Sequence, residues 1–561
     1  MAELTTGAAA LATMLEEYGV THLFHVPAVL RRTMVEIERL TSIKRVRPHG
    51  EKPAAYMADG YARATGKPGI CAAQVVGALN LAAGLRDAHL AHSPVIALTG
   101  GRDPHTKFRQ VYQEVDDVPA FEPVTKWNAT IDAVERIPDM VRQAFRVATT
   151  GAPGPVHLQF AGNEGQLDAG EAEMDTTVET SYSVVPPFRP QATDDVLAQA
   201  LAALATAERP VIVAGGGVKA SGAGPQLVAL AERLRIPVAT SLNGKDTIPG
   251  THPLSVGVVG TYSRGSANTI VGQADLVFFI GSETGGMTTH FWKVPPLGRQ
   301  TIQLDIEPEA LGRNYPPVVA INADARTALA RMLELAGEAP VDREGWVQTA
   351  GAAVSDWRDE YAGLLGSDQV PIRPERLCAE LTDLVPDDGI VVVDTGHAGM
   401  WMGGMYDVRT ETQSYVRSAG HLGWAFPAAL GAKCGAPDRP VVCFTGDSGF
   451  WYHVGDVETA VRWGINTITV VNDNHSGNQS KRGFDRVYGG KQSEKAREMW
   501  VFTEVDFAAM ANQIGALGIR VKKPSDLASA FDQALSSDRP VVIDVVTDID
   551  ALAPVAVEPG A

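Results

Sequence analysis

Asp447 and Asn474 stand twenty-seven residues apart, in Gly446-Asp447-Ser448 and Asn472-Asp473-Asn474, and each closes a short β-rich apolar run. The runs are Val441-Val442-Cys443-Phe444-Thr445 and Ile468-Thr469-Val470-Val471. Between them, Asp456 is placed to cap a helix with Val457, Ala460, Val461 and Gly464 on one face. The pattern predicts a strand–helix–strand unit with an acid at the tip of one parallel strand and an amide at the tip of the next. Ligands of open α/β sheets bind outside such carboxyl ends. A carboxylate, an amide oxygen and a nearby carbonyl are hard donors, too few to cage a cation alone. They suit Mg²⁺, which keeps waters and takes its remaining ligands from a diphosphate. Seen alone, a Gly-Asp pair at a strand end is an ordinary turn.

The elements that must position these residues fall into blocks. At 561 residues the chain exceeds one core, and about 150 residues per domain predicts three or four domains. Strand-like runs such as Pro94-Val95-Ile96-Ala97-Leu98 alternate with helical patterns over residues 1–165. A second α/β block covers 190–340, opening at Arg209-Pro210-Val211-Ile212-Val213, and a third covers 372–554. Such alternation predicts parallel, doubly wound sheets. Glu164–Pro190 and Glu338–Pro374 read as linkers. With 45% hydrophobic and 20% charged residues the composition is that of a soluble globular protein. A net charge of −18 argues against nucleic acid as a partner. No apolar stretch reaches membrane-spanning length, and Met1-Ala2-Glu3-Leu4-Thr5-Thr6 has no secretory pattern. Cys71, Cys378, Cys434 and Cys443 show no metal-ligand spacing and read as small buried hydrophobes. Four cysteines in so long a chain suit a reducing compartment, so a cytoplasmic location is expected.

A second, distant segment, His49-Gly50-Glu51-Lys52-Pro53-Ala54-Ala55-Tyr56-Met57-Ala58-Asp59-Gly60-Tyr61-Ala62-Arg63, starts a helix with an acid, which the macrodipole alone would favour. Taken together, the two segments resemble the thiamine-diphosphate (ThDP) enzymes, whose motif is Gly-Asp-Gly followed after about thirty residues by Asn-Asn. The resemblance implies that Asp447 and Asn474 hold Mg²⁺ through their side chains and Ser476 through its backbone carbonyl. It places Gly446 and Ser448 against the diphosphate. This chain departs from the motif at Ser448, where Gly is usual, and at Asp473, where the first Asn of the pair is usual. Glu51 would hydrogen-bond the cofactor's pyrimidine and drive it into the imino tautomer, which takes the thiazolium proton and leaves the nucleophilic ylid. Such a proton relay needs a carboxyl of raised pKa in a mostly apolar pocket. The block order is similar to the acetolactate-synthase-like branch: a pyrimidine-binding domain, a middle domain and a diphosphate-binding domain. In that branch the cofactor lies between chains, so Glu51 and Asp447 would come from different subunits of a homodimer or homotetramer.

The same resemblance assigns further residues. In Gly420-His421-Leu422-Gly423-Trp424, Leu422 would be the apolar wedge under the bent cofactor and the Gly420 carbonyl would accept from the aminopyrimidine. Gly396 and His397, after the strand Ile390–Val393, would cradle the diphosphate. Gln113 matches a substrate-side glutamine. His25 and Val29 occupy a loop lining the same pocket, where His25 would hydrogen-bond a substrate hydroxyl or shuttle a proton near pH 7. The polar stretch from Asn478 to Trp500, with Glu494 and Glu498, is read as a lid. In the middle block, Gly215-Gly216-Gly217 is a weak nucleotide signal. Gly281-Ser282-Glu283 puts an acid where flavin- or ADP-binding relatives carry Arg, so no FAD is expected, although Asp305-Ile306-Glu307 keeps an acidic ribose-like pattern.

From the His25/Val29 loop, the polar lid and a tail at Thr547–Pro554, the favoured reaction is cleavage of a carbon–carbon bond in a 2-hydroxyacyl substrate, such as a 2-hydroxyacyl-CoA. The alternative is an acetolactate-synthase-like carboligase of 2-oxoacids. A non-catalytic ThDP-fold subunit is the reading from another class, and it would not need Glu51.

Overall fold

Short runs of β-branched and apolar residues, each bounded by Gly, Pro or an acid, become the strands of three parallel sheets with six strands apiece. The computed structural model describes residues 3–337 and 342–554. Residues 1–2, where the first block was expected to open, and 338–341, at the head of the second expected linker, lie outside the described residues, as do 555–561. Numbering strands along the chain within each sheet, the first sheet and the third share the order 2-1-3-4-6-5. The middle sheet runs 3-2-1-4-5-6. Helices separate most of the strands, giving the three doubly wound α/β domains expected.

In the third sheet, Val441–Gly446 pairs in parallel with Ile390–Val393 on one side and Ile468–Asp473 on the other. Gly446 lies opposite Asn472, so the two motif ends finish side by side. Both strands are buried almost throughout, which explains why they read as unbroken apolar runs rather than alternating ones. The helix between them, Asp456–Trp463, closes on Gly464 at φ 61°, the left-handed turn that glycine tolerates best. Asp456 does not cap that helix as expected. Its carboxylate accepts from the backbone N–H of His49 at 2.9 Å and from the Thr459 hydroxyl, tying the first domain to the third.

Both expected linkers are more structured than their composition implied. Within the first, Glu171–Met174 pairs antiparallel with Glu3–Thr6. Most of the second is one helix, Glu344–Leu365, which buries Trp346, Ala350 and Trp357. Trp346 Nε1 donates to the Pro210 carbonyl at 2.8 Å, and the Arg264 guanidinium lies 4.2 Å from the Trp357 ring.

The first and third domains share one core. Helices Glu51–Thr65 and Ala425–Gly435 cross so closely that a Cβ on Gly431 would stand 1.8 Å from the Met57 carbonyl oxygen. Trp424 Nε1 adds a 2.9 Å bond to Asp59 across this crossing. Cys71, Cys378 and Cys443 are buried and Cys434 partly so, and burial raises every one of these thiols. Among the described residues no helix is long and apolar enough to cross a membrane.

Candidate active site

The strand order of the third sheet reverses between its first and third strands, Ile390–Val393 and Val441–Gly446. Open α/β sheets bind ligands at such switch points, and most third-domain residues singled out from the sequence gather here. Asp447 follows directly on Gly446 and is only 2% exposed. One carboxylate oxygen accepts from Ser448 N and the other from Ser476 N, each at 2.8 Å. Asn474 Oδ1 accepts from the Ser476 hydroxyl at 2.8 Å. Burial first, then the nearby Asp473 carboxylate, push Asp447 up to about 8, against the pull of those N–H donors. Asp473 is buried and turned aside, accepting from His475 N and pairing with His475 Nδ1 at 3.0 Å. The motif departure therefore leaves Asp447, Asn474 and Ser476 together.

Gly396, at φ 69°, precedes the helix His397–Met405. Both ring nitrogens of His397 are buried without a partner, and burial pushes this imidazole down to about 4. A Cβ on Gly396 would meet only the movable end of the Gln479 side chain, so it is the left-handed φ that favours glycine here. A buried carboxylate short of positive charge, an amide oxygen and a main-chain carbonyl fit a hard divalent cation. The glycine-bounded gap and the unpartnered His397 fit an oxyanion beside it.

Two residues that sequence reasoning missed fix the loop bearing Gly420 and Leu422. Asp394, buried at the end of Ile390–Val393, accepts from Gly423 N at 3.1 Å and from the Thr445 hydroxyl at 3.0 Å. Burial pushes it to about 7. Asp87, buried in the first-domain helix Val75–Leu90, accepts from Ser418 Oγ, Ala419 N and His421 N at 2.8, 2.9 and 3.2 Å. Leu422 stays partly exposed between these anchors, and Gly420, at φ 145°, is open to solvent.

The first-domain candidates lie elsewhere. Glu51 opens its helix, accepts from Asn80 Nδ2 at 3.2 Å and packs on Gly77. Among the described residues no hydrogen bond or ion pair joins it to the Asp447 end of the same chain. His25 is not in a loop but ends the strand His22–His25. Its Nδ1 is buried and unpartnered, and burial pushes the imidazole down to about 4. That leaves it uncharged at neutral pH, which favours hydrogen bonding over proton shuttling. Val29 is 1% exposed and packs in the first-domain core, so it does not line a pocket. Gln113 sits at φ 63° in an open segment with exposed Phe108 and Tyr112.

The expected lid is largely folded, as the helix Asn478–Val487 and a 3₁₀ turn at Glu494–Met499 whose Glu494 and Glu498 face solvent. The tail is fastened to it: Asn478 Nδ2 donates to the carbonyls of Ile549 and Ala551, and Lys481 pairs with Asp550. It is therefore not a free flap. In the middle domain, Glu283 bridges His92 at 3.4 Å and Arg313 at 3.2 Å, and these partners hold it down at about 2, the His92 bond foremost.

Three family models match, described as the N-terminal TPP binding domain, the central domain and the C-terminal TPP binding domain of thiamine pyrophosphate enzymes, over residues 5–120, 197–332 and 394–545. A probable acetolactate synthase large subunit from Methanocaldococcus jannaschii is 31% identical over 97% of this chain and 92% of its own length. The acetolactate synthase large subunit of Haemophilus influenzae is 28% identical over 97% and 94%. A glyoxylate carboligase from Escherichia coli O157:H7 is 30% identical over 95% and 92%. Domain order, the assembled Asp447 site and near full-length similarity agree: the chain belongs to the thiamine-diphosphate-dependent enzymes, in the family of the acetolactate synthase large subunits.

Proposed function

We propose that this chain is a Mg²⁺-assisted, ThDP-dependent carboligase that decarboxylates one 2-oxoacid and joins the remainder to a second carbonyl compound. The observation that carries this reading is the Asp447–Asn474–Ser476 constellation in a chain whose relatives are named as acetolactate synthases and a glyoxylate carboligase. Cleavage of a 2-hydroxyacyl-CoA, favoured from sequence, loses its motives, because Val29 is core and the tail is strapped down.

Bound ThDP supplies the carbon nucleophile and the electron sink. Asp447, Asn474 and the Ser476 carbonyl would hold the cation, and Gly396 and His397 would lie on the side of the diphosphate. Leu422, on the loop that Asp87 and Asp394 hold at Ser418, Ala419, His421 and Gly423, would pack against the bound cofactor. Glu51, contributed from a second copy of the chain, would hold and release the proton at the pyrimidine. A second copy suits the exposed apolar side chains beside Glu51, where Val76 and Leu79 are 49% and 48% exposed. His25, uncharged, would donate or accept a hydrogen bond with substrate, and Gln113 would reach it from the open segment that carries Phe108 and Tyr112.

The test is incubation of purified protein with ThDP, Mg²⁺ and pyruvate or glyoxylate, reading products by mass. Carbon dioxide release with a joined product is expected. Untouched 2-oxoacids, with 2-hydroxyacyl-CoAs cleaved instead, would reverse the assignment.

A further inference from the structure

A cavity of about 340 Å³ opens where the three domains meet. Arg63, Arg189, Lys219 and Arg417 all reach its wall. Three of these cations are matched. Arg63 pairs with Asp59 and Asp87, Arg189 with Asp324, and Lys219 with Asp246.

Arg417 is not. It ends the edge strand Ser414–Arg417, is 9% exposed, and spends one donor, Nε, on Asn243 Oδ1 at 3.0 Å. Among the described residues no carboxylate lies within ion-pair distance of it, and its two terminal nitrogens have no hydrogen-bond acceptor. A guanidinium offers five N–H donors and does not deprotonate in proteins. An enclosed charge of this kind is costly unless it is paired. Burial pulls its pKa down and the Asp87 charge only partly opposes this. The neighbouring cavity, of about 240 Å³, shares Asn243 and His92 with this one but is lined by Glu283, Asp305 and Glu307. Negative walls on that side leave Arg417 as the end where an anion is favoured.

We propose that the three-domain cavity is an anion-binding site in which a phosphate or carboxylate group of a small molecule bridges the terminal nitrogens of Arg417. Forked pairing of this sort is what guanidinium geometry favours. Arg417 directly precedes Ser418, the residue that Asp87 grips, so an occupied site bears on the anchor of the Leu422 loop.

The test is calorimetric titration of the full-length protein at low ionic strength with inorganic phosphate, ribose 5-phosphate and succinate, in wild type, Arg417→Met and Arg417→Lys. Saturable binding of at least one probe is expected, weakened about tenfold or more in Arg417→Met. Arg417→Lys keeps the charge but loses the fork and binds more weakly than wild type. Preference for ribose 5-phosphate over inorganic phosphate would identify the source as a phosphorylated metabolite, and equal binding a free anion; either supports the site. Binding would also raise the melting temperature of wild type by a few degrees. Circular dichroism checks folding, and if Arg417→Met does not fold, the comparison of wild type with Arg417→Lys decides. No binding of any probe to wild type, or equal binding by wild type and the folded variants, overturns the proposal.

Discussion

Glu51 and Asp447 are both carboxylates at helix starts, yet their surroundings assign them different work. Asp447 is sealed among N–H donors beside another acid, which prepares it for a cation. Glu51 accepts from Asn80, packs on Gly77 and is only partly buried. Glu51→Gln should therefore lower kcat by about 10²–10⁴-fold, the usual range for loss of a general acid–base group. Its ThDP affinity, from fluorescence titration, should change far less. A merely non-catalytic subunit would have no turnover to lose. Asp87→Asn keeps the size of the side chain but swaps one of its two acceptor oxygens for a donor facing Ser418, Ala419 and His421. It should weaken ThDP binding and lower kcat together, with the fold retained by circular dichroism. The motif residues were legible through their spacing and their likeness to a known motif, since a Gly-Asp pair at one strand end is by itself an ordinary turn. Asp87 was not, since it lies mid-helix and meets Ser418 only across 331 residues of sequence. Val29 was misread because proximity to His25 in sequence does not say which side chain faces the core.

At the scale of elements, alternating apolar and turn patterns foretold the parallel sheets, because strands buried on both faces read as unbroken Val and Ile runs. Polar composition misled at the linkers: the helix Glu344–Leu365 fully buries three residues, with others packed part-way, while most of its surface stays wet. The helix crossing at Gly60 and Gly431 had no sequence signal beyond glycine in a helix. It predicts that Gly431→Ala, normally favourable within a helix, destabilises this protein, since the added methyl would meet the Met57 carbonyl. An overpacking cost of about 1–3 kcal/mol is expected, read as a lower midpoint in chemical denaturation. An unchanged or raised midpoint would mean the two helices can separate freely.

Across the whole molecule, buried acids make the cation-free protein sensitive to pH. Asp394 and Asp447 sit at about 7 and about 8 in the fold, against an ordinary value near ~4. With pKa values raised on folding, their stabilising contribution is complete below pH ~4 and is lost as pH rises through 7 and 8. Differential scanning fluorimetry between pH 5 and 8.5 should show this fall without metal. Added Mg²⁺ and ThDP should flatten its upper part, and Asp447→Asn should flatten that part without them. Subunit contact is tested separately: Leu79→Glu should shift the sedimentation profile toward monomer and lower activity in parallel, whereas an unchanged profile would place the interface elsewhere.

The central claim is that Asp447 grips a cation which in turn holds ThDP. Calorimetric titration of ThDP into the wild type and into Asp447→Ala, each with and without Mg²⁺, measures it directly. The account predicts tight binding to wild type only when Mg²⁺ is present, and a loss of about 100-fold or more in the variant. Equal affinity in all four titrations would contradict it.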